Sequence, residues 1–456
     1  MARETEHLAE YIVHSSHQVF KDSAVLKMAQ EALWDWIGCT VAGAAESRVE
    51  PLFTLLDRYP MLGRSVVVGR RQRVHPLMAA LLNGAASHVL ELDDVERTAY
   101  LHPGITPISA AFAALSIEPN TSDREFLRAI IAGYEVGIHV GRSVNPSHYR
   151  LWHTSGTAGA FGAAAAAAVI LGLNVQQTMW ALGNAGTEAA GLWQFNLDGA
   201  LTKPYHIGMA SLHGLLAALA AKEGLTGPHR ILEGDQGFLR AMSDSPRPLD
   251  LVEGLDTGRP AILGISRKRW ASCRFTHAPI DAVVAIRGRQ REGVAVERIV
   301  VETFATAIRV AGHSNPETPQ EAKFSIAYCC ALAWLIGSVG IQDFEVSHCR
   351  SDVNFNQIFS KVEVVHDSTY DDLLPDYNPA RVTVFWNDGT LDQQEVLHPI
   401  GDPECPITDE ILDEKVASLL RAAGMSSDNI RDLRNVVRTL GIDEGSSQLE
   451  KLVELI

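Results

Sequence analysis

Paired cysteines are missing from this chain. Its 456 residues include six cysteines, and none of them stands in a CxxC pair or at zinc-finger spacing from a histidine. A disulfide framework would need more cysteines in a chain of this length, so we expect reduced thiols and a cytoplasmic location. The opening residues, MARETEHLAEYIVHSS, also lack the apolar core of a signal peptide.

Long hydrophobic runs are missing as well. The longest apolar stretch, residues 158–173, is rich in alanine and glycine and is interrupted. A membrane-spanning helix needs about 20 consecutive, strongly apolar residues. The sequence therefore predicts a soluble protein with no membrane contact.

Positive charge is too scarce for a nucleic-acid surface. The chain has 39 lysines and arginines against 55 aspartates and glutamates, which gives a formal net charge of −16. Binding to phosphate backbones needs clustered lysines and arginines, so we expect no nucleic-acid partner. A local basic pocket can still bind a small anion.

Motifs for nucleotides and metal ions are missing too. The sequence contains no Walker loop, no GxGxxG between a strand and a helix, no HExxH and no EF-hand loop. Histidines and carboxylates are plentiful, but none stands at convincing metal-ligand spacing. We therefore predict a site without a metal ion and without an organic cofactor.

Helical periodicity fills most of the chain. From about residue 5 to residue 262 nearly every segment has apolar residues at helical spacing. Residues 294–303 and 360–365 alternate apolar and polar, and an Asn-Asp-Gly turn between 381–386 and 390–397 is typical of a β-hairpin. The pattern predicts a mainly α protein. Its large all-helical domain would comprise residues 1–264 and 397–456, and a smaller α+β domain would comprise residues 265–396.

The first polar cluster interrupts the helical part at residues 198–214. Thr202 is a candidate N-cap, and Pro204 fits the first turn of a helix. Lys203 and His206 would then lie near a helix N-terminus, which favours an anion. This arrangement suits a substrate carboxylate. The alternative is a solvated lysine at the start of a helix.

A second cluster, residues 91–104, follows an apolar helix. Glu91, Asp93 and Asp94 cannot all be buried there without cations or hydrogen-bond donors. His102 stands at a turn within reach of them, and a carboxylate beside an imidazole suits acid–base catalysis. The alternative is a capped helix end with an acidic surface loop.

A third cluster, residues 147–159, precedes the alanine-rich helix. Its hydroxyls, among them Ser155 and Thr157, can cap that helix, and His153 would stand at the helix N-terminus, where the dipole lowers an imidazole pKa. Tyr149 lies close by in sequence. The alternative is capping without catalysis.

Two further clusters lie in the predicted smaller domain. Lys268, Arg269 and Arg274 concentrate positive charge in an acidic chain, and an arginine fork suits a carboxylate. The alternative is a basic edge at the domain junction. In residues 321–328, Lys323 or Tyr328 could reach a cleft, although a core position is the other interpretation of the tyrosine.

Taken in order, these blocks resemble the MmgE/PrpD family, which includes 2-methylcitrate dehydratases, cis-aconitate decarboxylases and iminodisuccinate epimerases. The resemblance covers almost the whole chain. The matching blocks are ELDD…HPG at 91–104, WHTSGTAG at 152–159, TKPYHIGMASLHG at 202–214, TGP…LEG…GF at 226–238, KRWASCRFTHAPIDA at 268–282 and AKFSIAY at 322–328.

The resemblance implies a cleft between a helical and an α+β domain, a homodimer, and catalysis without a metal ion or cofactor. Its matched functional positions are His102, His153, Lys203 and His277. Glu91 stands where relatives commonly carry aspartate, which leaves its role open. Tyr149 resembles the tyrosine proposed to act opposite the lysine in the epimerase branch.

Proton or CO2 removal next to a carboxylate needs cations to hold the flanking carboxylates and an acid and a base near neutrality. We therefore expect a lyase of the 2-methylcitrate dehydratase type that acts on a small di- or tricarboxylate. Lys203 or His153 would be the base, His102 the acid, and Arg274 with His277 the carboxylate holders. An epimerase, a decarboxylase and a non-catalytic carboxylate-binding relative are the alternatives. The predicted site residues are Glu91, His102, Tyr149, His153 and Lys203 for catalysis, and Asp93, His206, Arg274, His277 and Tyr328 for substrate binding.

Overall fold

The computed structural model describes residues 3–15, 22–255, 259–442 and 447–456. Residues 16–21 and 256–258 of the predicted helical region lie outside the described residues. The N-terminal α-helices are α1 (Glu4–Glu10), α2 (Ser23–Ala44), α3 (Glu50–Arg58), α4 (Pro76–His88), α5 (Ile105–Ala114), α6 (Asp123–Val144), α7 (Thr154–Ile170), α8 (Val175–Thr187), α9 (Gln194–Asp198), α10 (Thr202–Lys222) and α11 (Phe238–Met242). The later α-helices are α12 (His277–Arg287), α13 (Ala305–Ala311), α14 (Pro319–Lys323), α15 (Ile326–Ile336), α16 (Val346–Ser351), α17 (Val353–Phe359), α18 (Asp409–Ala422), α19 (Ser427–Thr439) and α20 (Leu449–Leu455).

Helix α7 forms the centre of the helical part, and α5, α6 and α10 pack around it. Every residue of α7 is buried, and most of them are alanine or glycine. A Cβ atom on Gly133 of α6 would lie 2.9 Å from the carbonyl oxygen of Gly162 in α7. A Cβ atom on Gly214 of α10 would lie 2.4 Å from Cβ of Ala163. Small residues therefore let three helix backbones approach closely, as the alanine-rich run predicts.

A four-stranded sheet forms in the C-terminal half. Its strands are β3 (Val296–Thr303), β4 (Val362–His366), β5 (Ala380–Trp386) and β6 (Leu391–Val396). Their order in the sheet is β4-β3-β5-β6. β3 pairs in parallel with β4 and antiparallel with β5, and β5 and β6 form an antiparallel hairpin. In the hairpin turn, Gly389 has a φ of +84°, which favours glycine. The predicted strands and the mainly α fold class are confirmed.

The structure also contains a short two-stranded ribbon that the sequence did not predict. Strands β1 (Leu62–Val66) and β2 (Arg73–Val74) pair antiparallel within the part predicted to be all helical. Short strands of this kind give little periodic signal in a sequence, because only a few residues alternate.

The C-terminal helices return to the helical part. Helix α18 packs on α2 so closely that a Cβ atom on Gly38 would lie 2.9 Å from Cγ1 of Val416. The predicted domain limits at residues 264/265 and 396/397 stay predictions. None of the described helices combines the length and apolar character that crossing a membrane requires.

Candidate active site

One cavity collects six of the ten predicted site residues. It lies between the helical part and segments that follow residue 272. The predicted residues that line the cavity are Glu91, His102, Tyr149, His153, Lys203 and Arg274.

A buried ion pair joins Glu91 to Lys203 in the wall of this cavity. Nζ of Lys203 lies 2.6 Å from Oε1 of Glu91, and Nζ of Lys268 lies 3.4 Å from Oε2. Burial disfavours the ionised form of Glu91, but the charges of Lys203 and Lys268 outweigh it and hold its pKa well below the ordinary glutamate value. Glu91 is therefore a carboxylate at neutral pH.

The backbone at Glu91 is unusual. Its φ is +57°, a left-handed conformation that costs energy for a residue with a long side chain. Such strain persists only where the surroundings impose it, and it is concentrated at functional sites. The sequence alone offers no signal for this conformation.

Helix α10 places Lys203 differently from the prediction. The residue before the helix is Leu201, no side chain caps the first turn, and Thr202 is the first helical residue, so the N-cap assignment of Thr202 is wrong. Lys203 is only 3% exposed because it points to Glu91 across the cavity wall and away from solvent. This burial excludes the solvated-lysine alternative.

Asp93 lies beneath the cavity and contacts two histidines. Nδ1 of His88 lies 2.9 Å from Oδ2 of Asp93, and Nδ1 of His102 lies 2.8 Å from the same oxygen. Despite burial, these rings hold the pKa of Asp93 well below its usual range. A neutral His102 that carries its proton on Nδ1, next to this carboxylate, has its free lone pair on Nε2. Asp93 itself does not line the cavity.

Burial disfavours the charged form of His102. It lowers the pKa of His102 to about 3, against which the Asp93 carboxylate acts only in part. The ring is therefore neutral at pH 7. The neighbouring Asp94 instead bonds to the hydroxyl of Tyr134 and the amide of Gly104, which explains how a third carboxyl group is buried in this loop.

His153 stands immediately before α7, as predicted. Burial and the neighbouring Lys203 hold its pKa well below the ordinary histidine value. Its Nδ1 lies 3.4 Å from Nδ1 of His206, while its Nε2 is buried without a hydrogen-bond partner. The hydroxyls predicted to cap α7 do not do so: Ser155 accepts a bond from the amide of His102, and Thr157 contacts Nε2 of His148.

Arg274 reaches the cavity from the C-terminal half. Its guanidinium pairs with Asp402 and contacts Nδ1 of His277 at 3.0 Å, while its Nε is buried without a partner. His277 contacts Arg274 but does not itself line the cavity. An unpaired guanidinium N–H in a cavity wall suits a carboxylate.

Tyr149 and Tyr328 have different surroundings. Tyr149 lines the cavity, and its ring lies 5.0 Å from those of Tyr100 and Trp193. Burial raises its pKa far above the ordinary tyrosine value, so it stays protonated. Tyr328 packs in an aromatic cluster with Phe344 and does not line the cavity.

Several lining residues were missed. Arg97 pairs with Glu404 on the segment after β6, and Tyr100 has a φ of +51°. Two of the described residues other than glycine have a positive φ, Glu91 and Tyr100. Both line this cavity. The arginine and tyrosine in VERTAY have no local pattern that distinguishes them from surface residues.

Two clusters within the described ranges have metal-ligand geometry: His88, Glu91 and His102, and His398, Asp402 and Glu404. Lys203 and Lys268 already neutralise the glutamate of the first. Arginines 97 and 274 neutralise the carboxylates of the second. Both donor sets therefore fit a metal ion poorly, because binding would displace buried cations.

Family models match both halves of the chain. The MmgE/PrpD N-terminal domain matches residues 6–249, and the MmgE/PrpD C-terminal domain matches residues 270–439. The chain belongs to the MmgE/PrpD family.

Curated proteins similar to this MmgE/PrpD chain include decarboxylases. A cis-aconitate decarboxylase-like protein of Aspergillus oryzae is 29% identical and aligns over 95% of this chain and 93% of its own length. Cis-aconitate decarboxylase of Aspergillus terreus is 26% identical over 95% and 92%. Cis-aconitate decarboxylase of Homo sapiens is 29% identical over 84% and 80%.

Proposed function

We propose that this protein is a lyase that decarboxylates cis-aconitate or a closely similar small tricarboxylate, without a metal ion or cofactor. The observation that carries the proposal is the composition of one cavity wall. There, Lys203 pairs with the ionised Glu91, and Arg274 and His153 line the same cavity, each with a buried nitrogen that has no hydrogen-bond partner within the described ranges.

Carboxylate binding falls to the arginines. Arg274 lines the cavity, where Asp402 holds one end of its guanidinium, and its Nε has no partner among the described residues, so a charge-assisted hydrogen bond remains to be made. Arg97 adds a second cation to the wall. Two arginines therefore bind the carboxylates that do not react. Two such cations suit a substrate that has more than one carboxylate.

Loss of CO2 breaks the carbon–carbon bond to the departing carboxylate. Its electron pair passes to the remaining skeleton, where it spreads toward a retained carboxylate, and one proton must be added to carbon. Lys203 supplies both needs, because its ammonium stabilises developing negative charge and can donate the proton. Glu91 pairs with Lys203 at 2.6 Å, and a proton from water restores Lys203 after each turnover. The neutral imidazoles of His102 and His153 can relay this proton.

Dehydration of a hydroxy acid is the second candidate. Removal of water needs a base next to the reacting carbon and an acid for the leaving hydroxyl group. The neutral imidazoles of His102 and His153 beside charged Lys203 provide both. Epimerisation is less favoured, because burial raises the pKa of Tyr149 and keeps it protonated, so no phenolate is present to act as the second base.

The test is proton NMR of the purified protein in D2O with cis-aconitate, 2-methylcitrate, citrate and iminodisuccinate offered separately. Vinyl signals of itaconate from cis-aconitate are the expected result. The Lys203→Ala variant, prepared in the same way, serves as the control for contaminating enzymes and should give no product.

Each other outcome contradicts the decarboxylase proposal in a different direction. New vinyl signals from 2-methylcitrate or citrate alone would indicate a dehydratase. Deuterium that enters iminodisuccinate without a vinyl product would indicate an epimerase. Silence with all four compounds would reject this substrate class.

A further inference from the structure

Three successive carbonyl groups beyond α4 each accept a hydrogen bond from a different lysine. Lys323 donates to the carbonyl of Leu90 at 2.6 Å, Lys268 to that of Glu91 at 3.0 Å, and Lys415 to that of Leu92 at 2.8 Å. The carbonyls belong to the loop that carries the Glu91 carboxylate. We call these three side chains the lysine clamp.

Burial explains why this loop needs such donors. Residues 88–94 are buried, and they follow the last turn of α4, so the carbonyls of residues 90–92 continue no helix or sheet. A buried carbonyl without a partner is costly, and water has little access here. Ammonium groups also suit the negative end of a helix dipole. The clamp thus satisfies backbone groups that the fold itself leaves open.

The clamp lysines come from separate elements of the C-terminal half. Lys268 lies in the segment before α12, Lys323 ends α14, and Lys415 lies in α18. Lys323 bonds in addition to the carbonyl of Ala271 at 3.0 Å, and Lys415 pairs with Asp35 of α2 at 2.6 Å. Lys323 and Lys415 are thereby each fixed at a second point outside the loop, whereas the other contact of Lys268 is the Glu91 carboxylate itself.

We propose that Lys323 and Lys415 are positioning residues that, with Lys268, hold the backbone of residues 90–92 in the conformation that directs the Glu91 carboxylate at Lys203. The left-handed φ of Glu91 is the feature that requires this support. Neither Lys323 nor Lys415 lines the cavity, so both act through the loop. The effect of these lysines on turnover rests on the proposed function, whereas their effect on the conformation of the loop does not.

Lys323 offers the cleaner test. Its Nζ contacts two backbone carbonyls and the ring of Phe344, whose centroid lies 4.8 Å away, and no carboxylate of the described residues pairs with it. Lys323→Met therefore removes the donor without leaving a buried anion unpaired. Lys361 is the matched control, because it donates to the carbonyl of Val296 at 2.6 Å, beside the sheet and outside the cavity wall.

Hydrogen–deuterium exchange measured by mass spectrometry reports on the loop directly. In the native loop the amide of Glu91 donates to the carbonyl of His88, and that of Val95 to Ser266. We expect faster exchange in peptides covering residues 88–95 of Lys323→Met, and no change there in Lys361→Met. Lys415→Met should loosen the same peptides, which keeps the test valid if Lys323→Met fails to fold.

Kinetics form the second readout. With cis-aconitate as substrate, we expect the kcat of Lys323→Met to fall roughly 10- to 100-fold with little change in KM, because the misplaced group is Glu91 and not the arginines. If wild type does not convert cis-aconitate, the proposed function fails and the exchange measurement alone decides this inference. Unchanged exchange at residues 88–95 would overturn it, as would faster exchange spread over the whole chain.

Discussion

At the scale of single residues, the decisive feature is that Lys203 and Glu91 are buried together. Two opposite charges at 2.6 Å with 3% and 1% exposure support each other, and removal of either leaves the other in a poor environment. This pairing links catalysis to stability at one point, so substitutions there should affect both.

Lys203→Ala should lower kcat by at least about 100-fold, because it removes the group assigned to proton donation. It should also lower the free energy of unfolding by about 3 kcal/mol, since Glu91 loses its nearest cation. Steady-state kinetics and chemical denaturation measure the two effects. Lys222→Ala, at the exposed end of the same helix, is the control. Wild-type turnover in Lys203→Ala would refute the role.

Arg274→Lys should raise KM more than it lowers kcat, because a point charge replaces a planar fork. We expect KM to rise about tenfold, the equivalent of one charge-assisted hydrogen bond of about 1.4 kcal/mol. Arg269→Lys is the matched control, since Arg269 is exposed and stacks on Trp270. Equal KM values for the two variants would contradict carboxylate binding by Arg274.

At the scale of elements, the crossing of α7 and α10 sets the site. Helix α7 starts directly after His153, and α10 starts one residue before Lys203. A Cβ atom on Gly156 of α7 would lie 3.3 Å from Cβ of His206 in α10, so the two N-termini are close neighbours. The distance between the helices therefore sets the distance between the groups they carry.

Gly214→Ala should separate these two helices. The added Cβ would lie 2.4 Å from Cβ of Ala163 and 2.6 Å from the amide nitrogen of Ala164, and backbone cannot yield cheaply. We expect a loss of about 1–3 kcal/mol in unfolding free energy, measured by denaturant titration, together with lower kcat. Gly264→Ala is the control, because nothing lies within 4 Å of its Cβ. Equal stability of the two variants would contradict the close packing.

At the scale of the whole molecule, neutral buried histidines create a weakness toward acid. Burial lowers the pKa of His102 to about 3 and those of His148 and His206 to about 4, below the ordinary value of 6.5. Between pH 6.5 and about 4 the unfolded chain binds protons that the folded protein does not, so acidification favours unfolding. Burial raises the pKa of Asp94 and Glu135 to about 7, which opposes this effect.

Burial also lowers the pKa values of His139, His153 and His277, and it raises those of Asp35 and Asp281. Six histidines with lowered pKa values therefore outnumber four carboxyl groups with raised ones. We therefore expect Tm to fall as pH is lowered from 7 to 4. Thermal unfolding followed by circular dichroism at constant ionic strength measures it. A Tm that holds steady or rises over this range would be inconsistent with buried neutral imidazoles.

The sequence predicted the architecture better than the contacts. Helices, the sheet and the NDG hairpin follow from periodicity and turn chemistry, which are local properties. Polar clusters that interrupt apolar runs made Lys203, His153 and His102 candidates, and the family resemblance implied that they share one cleft. The sequence did not predict the positions of Arg97, Tyr100 and the lysine clamp. Their roles depend on partners far away in the chain, and local patterns do not encode such contacts.

The lysine clamp has a consequence for how the protein is made. Lys415 and the carbonyl of Leu92 are 323 positions apart, and Lys323 and Leu90 are 233 apart. Lys268 is also 177 positions from Glu91, so a ribosome exposes the loop long before it has synthesised any of the three donors. The helical part can therefore assemble during translation while the Glu91 loop still lacks its anchors, and the nascent chain gains a finished site only when α18 has emerged.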